Sequence, residues 1–299
     1  MATHAGQLST AGGRTGNSMS TGNVEKHFKN YSAFVSQARL ATADNRSAAH
    51  SISKSPQRWD YAVGMAGALD LADRGWPEGT ERVNRLVSTL VDSVGSKMIT
   101  EEWSADTEGA ALDIGLYCAG EPEHWITPTP RATDMPSGAV CVLTINGAAS
   151  HTVTADVLEA RGSALAALAM LLEKAGRPTE IRLIYSLGDR SDAHCSLSII
   201  LKQPGQPLDI DRVTFACAHP AAFRRIGFGV QETLGDAVRK QFGFESGGGY
   251  GAMAAAPASM LGDIHIPAAV GSDMQWQSAD AAEKWLTKHL AAQGCIASQ

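Results

Sequence analysis

The clearest hydrophobic pattern lies in the second half of the chain, where a strand, a helix and a second strand follow one another. Residues 139–145 (AVCVLTI) are apolar or β-branched without polar alternation, which is typical of a strand covered on both faces. Residues 154–174 predict a long helix, and its stretch 164–172 is apolar all round, which indicates deep burial. Gly176 predicts the end of this helix, and residues 181–185 (IRLIY) predict the next strand. The order predicts a βαβ unit with parallel strands.

Further elements are predicted around this unit. Residues 195–201 predict a third strand, antiparallel to its neighbour because the connection is short, and residues 264–266 predict a short strand. Helical patterns cover 209–226 and 279–292. The apolar face of the last helix is formed by Trp285, Leu286 and Leu290. We therefore expect an α/β fold, with a Rossmann-like sheet that has helices on both faces and a helical hairpin before it.

The first half of the chain has a mainly helical pattern. Residues 62–72 predict one helix, and a second begins at Pro77 because proline suits the first helical position. Apolar residues recur at helical spacing along the second helix, at Val83, Leu86, Val87, Leu90, Val91 and Val94. We expect a hairpin with Trp76 packed beneath its turn. Shorter elements are predicted at 31–40 (helix), 98–103 (strand) and 113–118 (helix).

Composition divides the chain into four parts. Residues 1–22 are rich in Gly, Ser, Thr and Ala, and predict a flexible arm because they cannot bury enough apolar surface to fold. Residues 23–127 predict a mostly helical region, and the proline-containing stretch 128–138 predicts a linker. Residues 139–299 form the α/β domain. Within it, the Gly- and Ala-rich stretch 246–259 predicts a mobile loop.

Charge and cysteine usage narrow the class of protein. With 25 Lys plus Arg against 31 Asp plus Glu, the formal net charge of −6 does not favour electrostatic capture of nucleic acid. The candidates for a local nucleic-acid or partner contact are Arg212, Arg224 and Arg225. Five widely spaced cysteines without a C-x-x-C pair favour a reducing compartment. No apolar run approaches the length of a membrane span, so we expect a soluble, intracellular protein with no membrane contact.

The loop after the first predicted strand lies where α/β folds place ligands, and residues 146–150 read NGAAS. With the long helix that follows, its early Arg161 and the next strand, this loop resembles that of a von Willebrand A-type domain. In that family the loop has the pattern D-x-S-x-S, and the resemblance implies a magnesium ion held through its oxygens.

The chain departs from this pattern at two of the three ligand positions. Asn146 stands at the aspartate position, Ala148 at the first serine and Ser150 at the second. A hard divalent cation needs several oxygen ligands, usually with at least one carboxylate. We therefore expect a vestigial loop that has lost its metal, unless a distant carboxylate such as Asp189 completes the site.

Three other motifs were weighed for chemistry. The stretch 247–251 (GGGYG) follows no strand and precedes no capped helix, as phosphate binding requires. His194 and Cys195 are neighbours on a strand and point to opposite faces, which argues against a nucleophile–base pair. His219 precedes Pro220 and is expected at a helix junction, bonded to a backbone carbonyl. The sequence predicts no catalytic residue and no cofactor.

Short segments spread over nearly the whole chain resemble a family of uncharacterised tailed-phage proteins. They are GWPEG (75–79), LYCAGEPE (116–123), PLDIDR (207–212), AHP (218–220) and RIGF (225–228). The resemblance implies a viral origin and a location in the host cytoplasm or the virion, and implies no reaction. We expect a non-enzymatic protein that contacts other phage proteins in virion assembly, or as an accessory to replication or transcription. A weak nucleic-acid-binding factor is the alternative, and an enzyme with an unrecognised site is a third.

Overall fold

A computed structural model describes eight ranges of the chain, which are 22–41, 63–95, 102–129, 139–150, 153–188, 193–244, 252–270 and 276–296. The strands in these ranges are β1 (Val24–Phe28), β2 (Glu102–Asp106), β3 (Ala111–Leu112), β4 (Trp125–Thr129), β5 (Cys141–Asn146), β6 (Thr179–Gly188), β7 (His194–Lys202) and β8 (Ile264–Ile266). The α-helices are α1 (Tyr31–Ala38), α2 (Gly64–Arg74), α3 (Pro77–Gly95), α4 (Ile114–Ala119), α5 (Ala155–Lys174), α6 (Ile210–Ala218), α7 (Phe228–Glu232), α8 (Asp236–Gln241) and α9 (Ala279–Ala292). A π-helical segment, Ala222–Gly227, leads into α7.

The larger sheet has five strands in the order β1-β7-β6-β5-β8. Strand β5 pairs in parallel with β6 and with β8, and β1 pairs in parallel with β7, whereas β6 and β7 are antiparallel. Helix α5 connects β5 to β6, as the hydrophobic pattern predicted. The expected α/β class with a mostly parallel, Rossmann-like sheet is confirmed, and β5 lies inside the sheet.

One face of this sheet is apolar and packs against helices. The register sets Ile145 of β5 beside Leu183 of β6, and Tyr185 follows on the same face. The Tyr185 ring lies 5.7 Å from that of Phe34 in α1 and 5.0 Å from that of Phe223 in the π-helical segment. Helix α5 packs in turn against α3, α6 and α9. These helices therefore pack together on the apolar side of the sheet.

The opposite face is polar and is contacted by residues 252–262, which we call the extended segment and which contain one 3₁₀ turn, Ala258–Met260. The backbone N–H of Gly262 donates to the hydroxyl of Thr144 (3.2 Å), and the hydroxyl of Ser186 donates to the carbonyl of Ala255 (3.0 Å). Serine and threonine side chains pair with an extended backbone because its polar groups are not used inside a helix. The stretch expected to be a mobile loop is thus held on the sheet from residue 252 onwards.

Helices therefore cover the apolar face of the described sheet. On its polar face, residues 252–262 stand where we expected helices. The structure packs α6 and α9 against α5 on the apolar side of the sheet rather than over its second face. Gly162 of α5 permits the close approach of α6, because a Cβ at this position would lie 2.6 Å from the Cβ of Ala218.

The two predicted helices of the hairpin region are found as α2 and α3, joined by a short turn, and α2 packs mainly against α6 and the π-helical segment whereas α3 packs against α5. Trp76 lies at the turn between α2 and α3, is buried, and contacts the ring of His219 edge to face at 4.5 Å. Gly79 in the first turn of α3 lies against the indole, since a Cβ there would stand 2.0 Å from a ring carbon. Within α3, Val83 and Val87 are buried, as the helical spacing predicted.

The region 23–127 is less helical and less separate than the sequence suggested. It supplies β1 to the larger sheet, and its helix α3 packs against α5. It also contains β2 and β3, which pair with β4 in a second, antiparallel sheet of order β2-β4-β3. The strand expected at 98–103 overlaps β2 at residues 102 and 103, and residues 98–101 lie outside the described ranges.

Two further predictions concern residues that lie largely outside the described ranges. The linker predicted at 128–138 begins inside β4, which runs to Thr129. Proline at position 128 therefore belongs to the ladder between β2 and β4 rather than to a linker. Residues 130–138 lie outside the described residues, as does the arm predicted at 1–22 apart from Gly22.

Candidate functional site

The loop after β5 is held by bonds within the protein. The side-chain oxygen of Asn146 accepts the backbone N–H of Ala148 (3.1 Å) and that of Ser186 (3.4 Å). The side-chain nitrogen of Asn146 donates to the carbonyl of Ala254 (3.3 Å). Asn146 is buried, and it joins β5, β6 and the extended segment 252–262.

This arrangement does not fit a magnesium ion. The oxygen of Asn146 that would coordinate the ion already accepts two backbone N–H groups, and Ala148 has no side-chain oxygen. The backbone N–H of Ser150 donates to the carbonyl of Ala269 (3.1 Å). Within the described ranges, no three His, Cys, Asp or Glu side chains lie close enough together to hold a metal. Asp189 lies outside those ranges.

Arg161 of α5 joins the end of β5 to the chain after β8. It is fully buried, and its guanidinium donates to the carbonyl of Asn146 (3.0 Å) and to the carbonyl of Pro267 after β8. The positive charge also acts on His265 of β8. Burial and then the charge of Arg161 lower the pKa of His265 below its ordinary value. Arg161 therefore has a structural role at the carboxyl ends of β5 and β8.

His265 and Thr144 form the polar contact at the centre of the β5–β8 ladder. The hydroxyl of Thr144 lies 2.9 Å from Nδ1 of His265 and 3.2 Å from the carbonyl of Ile264. Thr144 is fully buried, so a substrate in solvent does not reach its hydroxyl. The hydroxyl and the imidazole are the groups of a nucleophile and a base, but a substrate cannot reach the hydroxyl.

The three arginines proposed as a contact surface are not brought together on the surface. Arg225 is fully buried and Arg224 nearly so, and Arg224 donates to the carbonyl of Ser150 (3.1 Å). Arg212 is partly exposed and forms an ion pair with Asp209 (3.6 Å). The prediction of a basic patch is therefore wrong for Arg224 and Arg225. Their charges sit within the helical layer, where phosphate groups cannot approach them.

His219 lies at the junction between α6 and the π-helical segment, as expected. Its Nδ1 accepts the backbone N–H of Ala221 (3.0 Å), so the bond is to an amide and not to the carbonyl that we expected. His219 and Trp76 line a cleft of about 680 Å³ that also receives Asp70, Asp156 and Glu159. With Nδ1 acting as acceptor, the hydrogen of a neutral ring is on Nε2, which disfavours a general base facing the cleft.

His194 and Cys195, which are adjacent in the sequence, do not form a shared site. Cys195 is buried on the apolar face, and burial raises its pKa to about 12. His194 is on the other face, where Nε2 lies 3.4 Å from a carboxylate oxygen of Glu25 in β1. The two side chains do not meet, as the strand geometry predicted. The stretch 247–251 lies outside the described residues.

A surface that the sequence did not reveal lies on the second sheet. We call residues 102–129, which hold β2, β3, α4 and β4, the β2–β4 module. Within its described side chains, residues 104–127, none is buried. The backbone is nevertheless ordered by its ladder, and Asp113 caps α4 by accepting the N–H of Leu116 (3.1 Å).

Three large apolar side chains of this module face solvent. Ile114 is 70% exposed, Tyr117 58% and Leu112 39%, and we call these three the apolar patch. Ile114 and Tyr117 are three residues apart in α4 and so lie on one helix face. Leu112 and Tyr117 occupy the two positions that pack together in a hydrophobic staple at a helix start. The spacing therefore places the three side chains close to one another at the start of α4.

Comparisons with known proteins add a family. A family profile described as "Domain of unknown function (DUF7192)" matches residues 13–297, which is nearly the whole chain. No curated protein matches the chain, and no solved structure matches it. None of the helices in the described ranges is long and apolar enough to span a bilayer. The match over residues 13–297 means that the chain belongs to the DUF7192 family.

Proposed function

We propose that this protein is a non-enzymatic component of a tailed phage that works through protein–protein contacts in the host cytoplasm. Its role lies in virion assembly or in support of phage replication or transcription. One observation carries the contact role: the β2–β4 module is ordered, has no buried side chain from 104 to 127, and exposes the apolar patch. The phage setting rests on the segments GWPEG and LYCAGEPE, among others, which resemble tailed-phage proteins.

The energetic reason is the cost of leaving large apolar side chains in water. Burying one Ile- or Leu-sized side chain contributes about 1.5–3 kcal/mol. Ile114 and Tyr117 thus leave apolar surface in water whose burial by a partner would stabilise a complex. Exposed apolar clusters of this kind mark interaction sites in proteins.

The other function classes draw less support. Nucleic-acid binding would need accessible arginines, and Arg224 and Arg225 are buried. An enzyme at the loop after β5 would need free polar groups, and the amide of Asn146 is bonded at both its oxygen and its nitrogen. The von Willebrand A-type comparison remains part of the proposal, as a fold comparison without its metal.

The contact role is tested by photo-crosslinking in infected cells. Tyr117 is replaced by benzoylphenylalanine in one variant, and Met170 of α5, which is 41% exposed, is replaced in a control variant. We expect position 117 to crosslink to a discrete phage protein that mass spectrometry identifies, and position 170 not to. Equal or absent crosslinking at the two positions would remove the apolar patch as a contact surface.

The choice between virion assembly and an accessory role needs a separate measurement. Mass spectrometry of purified particles detects the chain at a stoichiometric level if it is a structural component. Absence from the particle leaves the accessory role.

A further inference from the structure

The β2–β4 module carries the whole negative excess of the chain. The chain has 31 acidic and 25 basic side chains. Residues 102–129 contain six acidic residues and neither lysine nor arginine. The rest of the chain is thus left with 25 of each sign, and its formal charge is zero. The six acidic residues are Glu102, Asp106, Glu108, Asp113, Glu121 and Glu123.

The acidic residues surround the apolar patch along the chain. Asp113 lies between Leu112 and Ile114, and its carboxylate caps α4. Glu121 follows α4 directly, and its backbone N–H donates to the carbonyl of Leu116 (3.1 Å), which turns the chain back under the helix. Glu121 and Glu123 are exposed, as are Asp106 and Glu108 before β3. Acidic residues therefore flank the apolar patch on both sides along the chain, and we call them the acidic border.

We infer that the apolar patch is the docking site for a basic protein, whose lysine and arginine side chains surround an apolar hollow. This inference rests on the proposed contact role and adds the chemistry of the partner. Interfaces place apolar and aromatic anchors at the centre and charged residues at the rim, and complementary charge steers the partners together. A partner that buries Ile114 and Tyr117 must also contact the acidic residues around them. Basic residues on the partner make these contacts favourable.

The same charge pattern disfavours other occupants. In a symmetric dimer of this chain the module would face its own copy, and acidic borders would meet. Like charges brought together across an interface cost binding energy. Nucleic acid and anionic lipid present phosphates, which the acidic border repels.

The test uses three synthetic peptides of equal length as stand-ins for partner surfaces. One alternates lysine and leucine, one glutamate and leucine, and one lysine and serine. Binding to the full-length protein is measured by fluorescence anisotropy at low and high salt, and hydroxyl-radical footprinting locates it. We expect the lysine–leucine peptide to bind at least about tenfold more tightly than the other two, with an affinity that falls as salt rises. We also expect it to protect Leu112, Ile114 and Tyr117 from oxidation.

Matched variants separate the module from general acidity. Glu121→Lys with Glu123→Lys removes border charge, and Glu81→Lys with Asp92→Lys makes the same change of net charge on the exposed side of α3. Ile114→Ser alters the patch, and Met170→Ser alters an exposed apolar residue elsewhere. We expect the Glu121/Glu123 and Ile114 variants to lose about tenfold in affinity and the two controls to change it less than about twofold. Circular dichroism verifies folding of each variant.

The remaining outcomes fall on different parts of the argument. Equal binding of the glutamate–leucine peptide, or protection away from 112–117, would overturn the basic partner. A dimer in sedimentation that Ile114→Ser dissociates would overturn it too, while leaving the patch as a contact surface. If footprinting finds Ile114 and Tyr117 already protected in the isolated monomer, the chain itself covers the patch, and the proposed contact role fails with it.

Discussion

At the scale of single residues, Gly79 lies directly against the indole ring of Trp76 in the turn of the helical hairpin. Alanine at position 79 would place its Cβ 2.0 Å from a ring carbon, and the buried ring has little room to move. We expect Gly79→Ala to destabilise the protein by about 1–2 kcal/mol, because overpacking outweighs the better helix propensity of alanine. Urea unfolding measures the change.

A double-mutant cycle provides the control for this contact. Trp76→Ala alone is expected to cost about 3–5 kcal/mol, as for other large-to-small changes at buried aromatic residues. In that background Gly79→Ala has no ring to meet, and its cost should disappear. An undiminished cost of Gly79→Ala beside Trp76→Ala would place the strain elsewhere than in the indole contact.

The five cysteines differ in reactivity for the same reason of burial. Cys118 is exposed, and the other four are buried. Burial raises the pKa of Cys141 to about 11 and the pKa values of Cys195 and Cys217 to about 12, so these thiols are protonated at neutral pH. We expect one thiol to react rapidly with Ellman's reagent in the native protein and four to react on unfolding. Cys118→Ser should abolish the rapid phase; any rapid thiol in that variant would contradict the burial of the other four.

At the scale of elements, Asn146 joins two strands and the extended segment 252–262. Asn146→Ala removes bonds to Ala148, Ser186 and Ala254 and leaves buried backbone groups without them. We expect a loss of about 1–3 kcal/mol, measured by thermal unfolding. Asn84→Ala on the exposed side of α3 serves as control and should be close to neutral.

The same unfolding experiment tests the magnesium hypothesis. Millimolar magnesium should leave the Tm of the native chain unchanged, since a ligand raises Tm by binding the folded state. A rise of several degrees that Asn146→Ala abolishes would show that the loop does hold a cation.

The elements that sequence could predict are those with long, one-sided or all-round hydrophobic patterns. Helix α5, α9 and the α2–α3 hairpin were found within a few residues of their bounds. Strand β1 was missed because VEKHF carries charges at the adjacent positions Glu25 and Lys26, as edge strands can, and its partner β7 is far away in sequence. The segment 252–262 reads as a loop because its bonds to Ser186 and Thr144 are tertiary.

The candidate sites were harder to predict because residue type alone does not determine whether a side chain is exposed. Arg224 and Arg225 were expected on the surface, since arginine is seldom fully buried. The helical layer encloses them instead. Ile114 and Tyr117 have the spacing of a buried helix face, and nothing in the local sequence says that the face is uncovered. Only the arrangement of the second sheet reveals it.

At the scale of the whole molecule, two histidines couple folding to pH. Burial and then Arg161 lower the pKa of His265, and burial and then Lys288 lower the pKa of His289. Below about pH 6.5 the unfolded chain binds protons that the folded protein resists. Stability is therefore full above that pH and falls as the pH decreases through the lowered values. We expect the free energy of unfolding to decrease between about pH 6.5 and pH 5.

A variant assigns this decrease to its source. His265→Gln should make the loss of stability across the same pH interval smaller, and the denaturation midpoint in urea at several pH values measures it. An unchanged slope would mean that other groups govern the acid side.

The position of β1 has a consequence for how the chain is made. A ribosome releases Val24–Phe28 early, yet the partner strand ends at Lys202, 174 positions after Phe28. At translation rates of about 5–20 residues per second, β1 waits roughly 9–35 s for β7. During that interval an apolar segment would be open to misassembly with neighbouring nascent chains. Glu25, Lys26 and His27 keep this strand compatible with water until β7 arrives, so the first strand of the sheet to be synthesised pairs only after β5, β6 and β7 have been made.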